Sequence, residues 1–191
     1  MGNASGRQKQ KPLILDSVAG SAPGLFKATF TTHPDREGAT LTESSKPNAY
    51  HLPWKNGDYT EGEVDLTNEE VEYFFTSDLS GCSLWYKFTG GRIKIRHEAR
   101  TDKGSQDVHR LAGFKCVVDS SLNKDDVQLA VDADTMIRSA QFYVVYALFE
   151  HESKSVDFRV QLVQQKKNLL TRVEVYELVK VGSVVVEFPE G

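Results

Sequence analysis

A cysteine and a histidine near the open end of one predicted β-hairpin are the residues best suited to chemistry. Cys82 and His97 lie in the segment FFTSDLSGCSLWYKFTGGRIKIRH, which runs from Phe74 to His97. A cysteine thiolate is a strong nucleophile, and a histidine can accept and return its proton near neutral pH. The pair predicts nucleophilic catalysis, provided that the fold brings the two side chains together.

The Gly90–Gly91 dipeptide decides which residues meet across this hairpin. A two-residue primed turn needs positive φ at both central positions, and glycine accepts that conformation. With this turn, Leu84 pairs with His97 and Cys82 becomes a diagonal neighbour of His97, roughly 7–8 Å away between backbones. Because side chains alternate between faces, the same register separates an apolar face from a basic one. The apolar face holds Cys82, Leu84, Tyr86, Phe88, Ile93, Ile95 and His97, and the basic face holds Ser83, Trp85, Lys87, Thr89, Arg92, Lys94 and Arg96.

The same residues also have a purely structural interpretation. Free cysteine is often buried as a small hydrophobic residue, and His97 can be a core histidine whose hydrogen bonds are satisfied. Two features favour chemistry, because Cys82 stands at the mouth of the strand and Gly81 leaves room for a substrate. We expect backbone N–H groups near the cysteine, at Ser80 and Gly81, to stabilise an oxyanion. The basic face is expected to be solvated or, if it flanks the cleft, to attract an acidic partner.

Length and composition predict one globular domain without a nucleic-acid or membrane role. The chain has 191 residues, a formal net charge of -4 and a pI near 5.8, whereas nucleic-acid-binding domains are usually basic. It has no apolar run long enough for a membrane helix and no recognisable secretory signal. We interpret residues 1–11 as a flexible arm and residues 12–191 as a single domain, most simply a monomer. Cys82 and Cys116 are too few for a disulfide framework and lack zinc-ligand spacing, so we predict no structural metal.

Period-two hydrophobic patterns dominate the chain and predict a mainly β fold. A capping-box pattern at Thr67 and Glu70 predicts a helix of about two turns over EVEYFF, and NKDDVQLAVDADTMIRS predicts a second helix. The fold class is therefore α+β, mainly β, with a β-sandwich core and a few short helices and loops. Strands are predicted in LFKATFTTH, ATLTES and AYHLPW, in the hairpin of FYVVYALFEH with VDFRVQLVQ, and in a pair formed by RVEVYELVKV and SVVVEF around Gly182.

Several of these segments resemble the glutamine deamidase toxins, a family that includes the cytotoxic necrotizing factors and Burkholderia lethal factor. LSGC with a downstream histidine is similar to the family's nucleophile motif. LPWKNG (Leu52–Gly57) and FFTSDLSGC (Phe74–Cys82) resemble segments of the lethal factor in order and spacing. The step of fifteen residues from Cys82 to His97 is more similar to the necrotizing factors. The resemblance spans Leu52 to His97, about a quarter of the chain.

This resemblance implies a β-sandwich that converts a glutamine of a host protein to glutamate through a thioester. Cys82 matches the nucleophile, His97 the base, and Thr76 the residue that orients the imidazole through its hydroxyl or its carbonyl. A His97 imidazolium would then stabilise the Cys82 thiolate. The resemblance also implies a secreted or translocated bacterial toxin or effector that acts in the host cytosol without a cofactor. The implied target is a Rho-type GTPase or an RNA helicase of translation initiation.

Other interpretations stay open at this point. A papain-like protease or a transglutaminase uses the same two residue types, although the papain-type sequence around the cysteine is absent. A non-enzymatic β-sandwich that binds a partner through its loops would leave the cysteine inert. His51 and His109 are alternative bases. Trp54 and Leu79 are candidates to line the cleft, and the alternative for Trp54 is a position in the core. The loop Glu98–Gly113 is the best candidate to carry specificity.

Overall fold

Two packed sheets form the molecule and leave a single helix among the residues that the structure describes. The computed structural model describes residues 10–99, 103–120 and 129–189, with the backbone alone of residues 103–106. The strands are β1 (Leu13–Val18), β2 (Gly24–Thr32), β3 (Glu37–Thr42), β4 (Ala49–Leu52), β5 (Tyr59–Asp65), β6 (Tyr73–Thr76), β7 (Ser83–Thr89), β8 (Arg92–Glu98), β9 (Lys115–Asp119), β10 (Leu129–Asp132), β11 (Ile137–Glu150), β12 (Ser155–Asn168) and β13 (Glu174–Glu187), and the helix is α1 (Lys103–Leu111). The predicted class, α+β and mainly β, is confirmed.

The larger sheet follows the order β1-β3-β2-β4-β6-β11-β12-β13, with β10 paired to β11, and the smaller sheet follows β5-β8-β7-β9. The main core fills the space between them, where Phe74 and Phe158 of the larger sheet meet Leu84 and Ile95 of the smaller one. A second cluster, around Phe75, packs on the other face of the larger sheet. Alternation of side chains along each strand produces both layers.

The predicted hairpin is confirmed with its register. Thr89 pairs with Arg92 and Leu84 pairs with His97. Gly90 and Gly91 have φ of 54° and 75°, as a primed two-residue turn requires. The predicted apolar face packs on the main core. The pairing of β7 with β8 places the start of β7, next to Cys82, beside the end of β8, which carries His97.

The two predicted helices are wrong wherever the structure describes them. Thr67 does not cap a helix, because its N–H and its hydroxyl both donate to the Asp65 carboxylate, at 2.9 and 2.7 Å. The residues that follow become β6, inserted between β4 and β11. Residues 123–128 of the second predicted helix lie outside the described residues, and its remainder forms β10, a turn and the start of β11. Sheet pairing outweighs the local helical pattern in both places.

Two further elements differ from expectation. Gly182 does not separate two strands, because it pairs with Val160 inside the continuous strand β13. Helix α1 lies within the segment predicted as a specificity loop, and its His109 ring packs on Trp85 with centroids 5.1 Å apart.

Of the predicted arm, residues 1–9 lie outside the described residues, while Lys11 donates to the carbonyl of His33 at 2.6 Å. Within the described residues, no helix is long and apolar enough to cross a membrane.

The turn at Gly90 tests the register. We expect Gly90→Val to lower the free energy of unfolding by roughly 1–2 kcal/mol, because a β-branched residue disfavours positive φ. Urea unfolding followed by circular dichroism measures the change. Thr89→Val, one position away on an exposed strand residue, is the matched control and should change stability by less than about 0.5 kcal/mol. Equal effects of the two substitutions would contradict the turn assignment.

Candidate active site

A hydrogen bond between Thr76 and His97 joins the two sheets. Thr76 ends β6 of the larger sheet and His97 stands on β8 of the smaller one. Thr76 Oγ1 lies 2.7 Å from His97 Nδ1, and the two residues are only 2% and 0% exposed. The predicted partnership of these two residues therefore exists as a contact, and it uses the threonine hydroxyl.

The partners of Thr76 determine which nitrogen of His97 carries the proton. Its hydroxyl also lies 2.7 Å from the carbonyl oxygen of Leu52, which can only accept. Since a hydroxyl has one proton, Thr76 donates to Leu52 and accepts from the Nδ1–H of His97. In the neutral ring, Nε2 is then an unprotonated acceptor. That nitrogen is buried and has no hydrogen-bond partner.

Burial keeps the His97 imidazole neutral. Loss of solvation, with a smaller effect of nearby His51, lowers the pKa of His97 from 6.5 to about 4. At neutral pH the ring is therefore a free base. This differs from the imidazolium expected beside the cysteine, and it requires a proton to move from sulfur to nitrogen during attack instead of before it.

Cys82 lies on the same face of the hairpin as Leu84 and belongs to the main core cluster. It is a free thiol and 8% exposed. The loop that precedes Cys82 is held against β11, because Leu79 of the loop and Tyr143 of β11 exchange two backbone hydrogen bonds of 2.8 and 3.0 Å. The structure thus brings sulfur and imidazole into one layer, but Nε2 of His97 accepts no hydrogen bond from the thiol.

Ser120, which sequence reasoning missed, holds the backbone at the cysteine. The N–H groups of Gly81 and Cys82 both donate to its Oγ, each at 2.9 Å. Its hydroxyl in turn donates to the carbonyl of Cys82 at 2.7 Å. The two convergent donors are therefore Gly81 and Cys82, shifted by one residue from the expected Ser80 and Gly81. No sequence signal marks Ser120, because it reaches the site only through the pairing of β9 with β7.

The residues predicted around the site have mixed positions. Leu79 is fully buried in the main core and does not line a cleft. Trp54 is 50% exposed, so its alternative assignment to the core is wrong. Ser80 is exposed and, with Asp78, borders a cavity of about 360 Å³ against β11 and β12. None of the four cavities found in the described part of the chain, this one included, is lined by Cys82, His97 or Thr76.

The alternative bases lie elsewhere. His51 neighbours Leu52 on β4 and therefore points to the other face of the larger sheet, where its ring meets Phe26 at 6.1 Å between centroids. Neither of its nitrogens has a partner, and burial lowers its pKa to about 4. His109 lies on the reverse face of the hairpin, with Nε2 2.9 Å from the Glu98 carboxylate. The histidine that shares a face with Cys82 is His97.

On the reverse face of the hairpin, Ser83 and Trp85 at the open end are buried. Trp85 is 1% exposed beneath α1, and its indole N–H donates to Ser83 Oγ at 2.7 Å. Ser83 donates to Glu98 at 3.2 Å across the strand pair. This contact joins the neighbours of Cys82 and His97, so the open end of the hairpin is held from behind. The predicted solvation concerns Arg92, Lys94 and Arg96 on the same face, whose side chains are 54%, 33% and 14% exposed.

Carboxylates of β5 neutralise the basic residues of that face. Arg92 contacts Glu63 at 2.6 Å and Arg96 contacts Glu61 at 2.6 Å. Lys94 lies 3.4 Å from Glu63 and 3.7 Å from Glu61. Attraction of an acidic partner by these three cations is therefore not supported.

No family model and no curated protein matches the chain. The resemblance to deamidase toxins accordingly depends on the quoted motifs. Within the described residues, no group of three or more histidine, cysteine, aspartate or glutamate side chains could hold a metal ion. The chemistry open to this site is proton transfer between a thiol and an imidazole.

Thr76 offers a test of the tautomer. We expect Thr76→Val to lower the free energy of unfolding by about 2–4 kcal/mol, because it leaves the Leu52 carbonyl and the Nδ1–H of His97 buried without partners. Nitrogen NMR of His97 should show a protonated Nδ1 and a bare Nε2 in the parent protein. Thr76→Ser keeps the hydroxyl and should preserve this pattern. A parent protein with its proton on Nε2 would contradict the assignment.

The buried histidines predict a pH dependence of stability. Unfolded His51 and His97 take up protons near 6.5, whereas both folded residues do so only at about 4. At these two sites the unfolded state binds more protons between these values, so their contribution to stability is constant above about pH 6.5 and is lost as the pH drops to 4. Burial raises the pKa of Asp78 to about 6, so this carboxyl stabilises the folded state as the pH falls and offsets part of the loss. Each histidine accounts for at most roughly 3 kcal/mol.

Urea unfolding between pH 4 and 8 measures this slope, and proton NMR of the imidazoles measures both titrations directly. His51→Phe should remove about half of the histidine contribution, His97→Phe should remove a similar part, and Asp78→Asn should steepen the loss of stability towards low pH. Titration of either folded histidine near 6.5 would refute the burial argument.

Proposed function

We propose that the protein is a thiol-dependent glutamine deamidase, with Cys82 as nucleophile, His97 as base and Thr76 as the residue that orients the base. One observation carries the proposal. The Thr76 hydroxyl receives the Nδ1–H of His97, which leaves a buried acceptor nitrogen without a partner. An unpaired acceptor of this kind is unfavourable in a core and useful as a base. In the proposed reaction, the free thiol of Cys82, which lies in the same core layer, supplies a proton to this nitrogen.

The first half of the reaction forms a thioester. As Sγ of Cys82 attacks the carboxamide carbon, its proton moves to Nε2 of His97, and the carbonyl electrons move to oxygen. The tetrahedral oxyanion then collapses. The imidazolium returns its proton to the departing nitrogen, which leaves as ammonia, and the acyl group stays on sulfur.

The second half hydrolyses the thioester. His97, neutral again, takes a proton from water as the water oxygen attacks the acyl carbon. The carbon–sulfur bond breaks, the proton passes from imidazolium to sulfur, and the product is a glutamate side chain. Because burial disfavours the imidazolium, each charged intermediate is short-lived and returns its proton readily.

Burial of the thiol favours a side-chain amide over a peptide bond. Cys82 is 8% exposed, His97 is not exposed and no described cavity is lined by either residue, so any opening to the sulfur must be narrow. A glutamine carboxamide stands at the end of two methylene groups and can enter such an opening end-on. A peptide bond has chain on both sides and needs a groove. This supports deamidation or the related transamidation over papain-like proteolysis.

The partners follow from the resemblance. The substrate is proposed to be a host protein, either a Rho-type GTPase or an RNA helicase of translation initiation. The protein would act as a secreted or translocated bacterial toxin or effector in the host cytosol, where thiols stay reduced. The site residues leave this choice of target open, since they concern the glutamine itself.

A partner-binding β-sandwich is the second candidate, and one surface favours it. The terminal strand β13 exposes Val175, Val179, Val181 and Val185, each between 43% and 59%. Exposed apolar rows on a terminal strand often mark contact surfaces. In that case Cys82 would be a core residue with no special reactivity.

Treatment of host lysate, followed by peptide mass spectrometry, tests the enzyme proposal. We expect a glutamine-to-glutamate conversion, a gain of about 1 Da, that falls at least a thousandfold in Cys82→Ser because the hydroxyl is a far weaker nucleophile. Cys116→Ser is the matched control and should leave the conversion intact. Conversion that persists in Cys82→Ser would rule out the nucleophile.

Alkylation by iodoacetamide at pH 7 separates the enzyme from the binding module. Cys116 is exposed as a residue, but its thiol is partly desolvated. This desolvation, together with the neighbouring Asp119, raises the pKa of Cys116 to about 11, so its thiol should react slowly. If His97 takes the Cys82 proton as the sulfur attacks the reagent, as the proposed reaction requires, Cys82 should react faster than Cys116 despite its burial and should lose that advantage in His97→Phe. Equal slow labelling of both thiols would favour the binding module.

A further inference from the structure

Two backbone N–H groups beside Cys82 share one acceptor, the hydroxyl oxygen of Ser120. Two successive N–H groups, those of Gly81 and Cys82, converge on one oxygen atom at 2.9 Å each. Convergent backbone donors at these distances are the arrangement that stabilises a tetrahedral oxyanion. We infer that the Ser120 hydroxyl fills the oxyanion position in the resting protein and is displaced by the carbonyl oxygen of the substrate. This inference rests on the proposed function.

The conformation of Gly81 creates the convergence. Its φ of +90° lies where residues other than glycine are strained, and a Cβ added there would meet nothing within 4 Å. The glycine is therefore explained by its backbone conformation, since space is ample. Successive N–H groups in such a turn form a concave anion site. One of the two donors belongs to Cys82 itself, so a carbonyl attacked by its sulfur lies within reach of that N–H.

The hydrogen bonds of Ser120 make it an exchangeable occupant. Its oxygen accepts two N–H groups and its proton goes to the carbonyl of Cys82 at 2.7 Å. That carbonyl also accepts the backbone N–H of Ser120 at 2.9 Å, and it keeps this partner if the hydroxyl turns away. Rotation about the Cα–Cβ bond of Ser120 would turn the hydroxyl away from both N–H groups, and the backbone hydrogen bond from Ser120 to Cys82 does not depend on that rotation.

The exchange favours the transition state over the bound substrate. A neutral carbonyl oxygen accepts the same two N–H groups about as well as a hydroxyl does, so ground-state binding gains little. An oxyanion forms charge-assisted hydrogen bonds that are roughly twice as strong. The displacement therefore becomes favourable as negative charge develops on the substrate. Ser120 would thus lower activity towards weakly bound molecules and keep the two donors paired until attack.

A reversible inhibitor measures this competition directly. The probe is a capped glutamine analogue in which an aldehyde replaces the side-chain carboxamide. Addition of the Cys82 thiol forms a carbon–sulfur bond, converts the carbonyl to an oxyanion or hydroxyl, and passes the thiol proton to His97 or to that oxygen. We expect Ser120→Ala to bind the probe about five- to tenfold more tightly, the factor associated with one neutral hydrogen bond. In the wild-type protein, the amide proton signals of Gly81 and Cys82 should shift on binding, because their acceptor changes.

Controls separate this inference from the proposed function. Ser120→Thr keeps the hydroxyl and should bind like the wild type, and Cys82→Ala should not bind. Equal or weaker binding by Ser120→Ala, with unmoved amide signals in the wild type, would overturn the role of Ser120 and leave the nucleophile in place. Absence of binding by every variant would reject the nucleophile and the inference together. If Ser120→Ala does not fold, the amide signals of the wild type decide the question.

Discussion

One hydroxyl proton organises the candidate site. Thr76 can donate to a single acceptor, and the Leu52 carbonyl takes that proton because β4 and β6 pair with Leu52 opposite Thr76. The imidazole of His97 must then present Nδ1–H to the threonine and a bare Nε2 to the core. Strand pairing in one sheet thus determines the protonation of a ring carried by the other sheet. Any shift of one sheet against the other would break this chain of contacts.

The proposed nucleophile, Cys82, depends on a different set of contacts. Its loop is held to β11 by the two Leu79–Tyr143 backbone bonds and to the end of β9 by Ser120. The hairpin behind it is fastened by Ser83 and Glu98. These constraints come from both sheets and from the element after the hairpin. Sulfur and imidazole are therefore positioned separately, and their common layer follows from the packing of the sandwich.

Some of this arrangement was predictable, because it depends on residues close together in the chain. Gly90–Gly91 and strict alternation determined the pairing of Leu84 with His97 without any distant information. The capping pattern at Thr67 failed because Asp65, also local, competes for the same hydroxyl and sheet pairing claims the residues that follow. The role of Ser120 and the neutralising glutamates of β5 depends on pairings between separated strands. Alternation along a single segment carries no information about such pairings.

The resting arrangement places both halves of the proposed chemistry one step away from reaction. His97 is neutral and does not accept the thiol proton, and the Gly81 and Cys82 donors are paired with a serine hydroxyl. A buried thiolate and a vacant anion site would each be unfavourable in an apolar core without a ligand. A neutral thiol and a filled site avoid both penalties. The stability of this core and the readiness of the site are therefore in conflict. In the proposed reaction, a substrate that brings its own carbonyl oxygen would resolve this conflict by replacing Ser120 as negative charge develops.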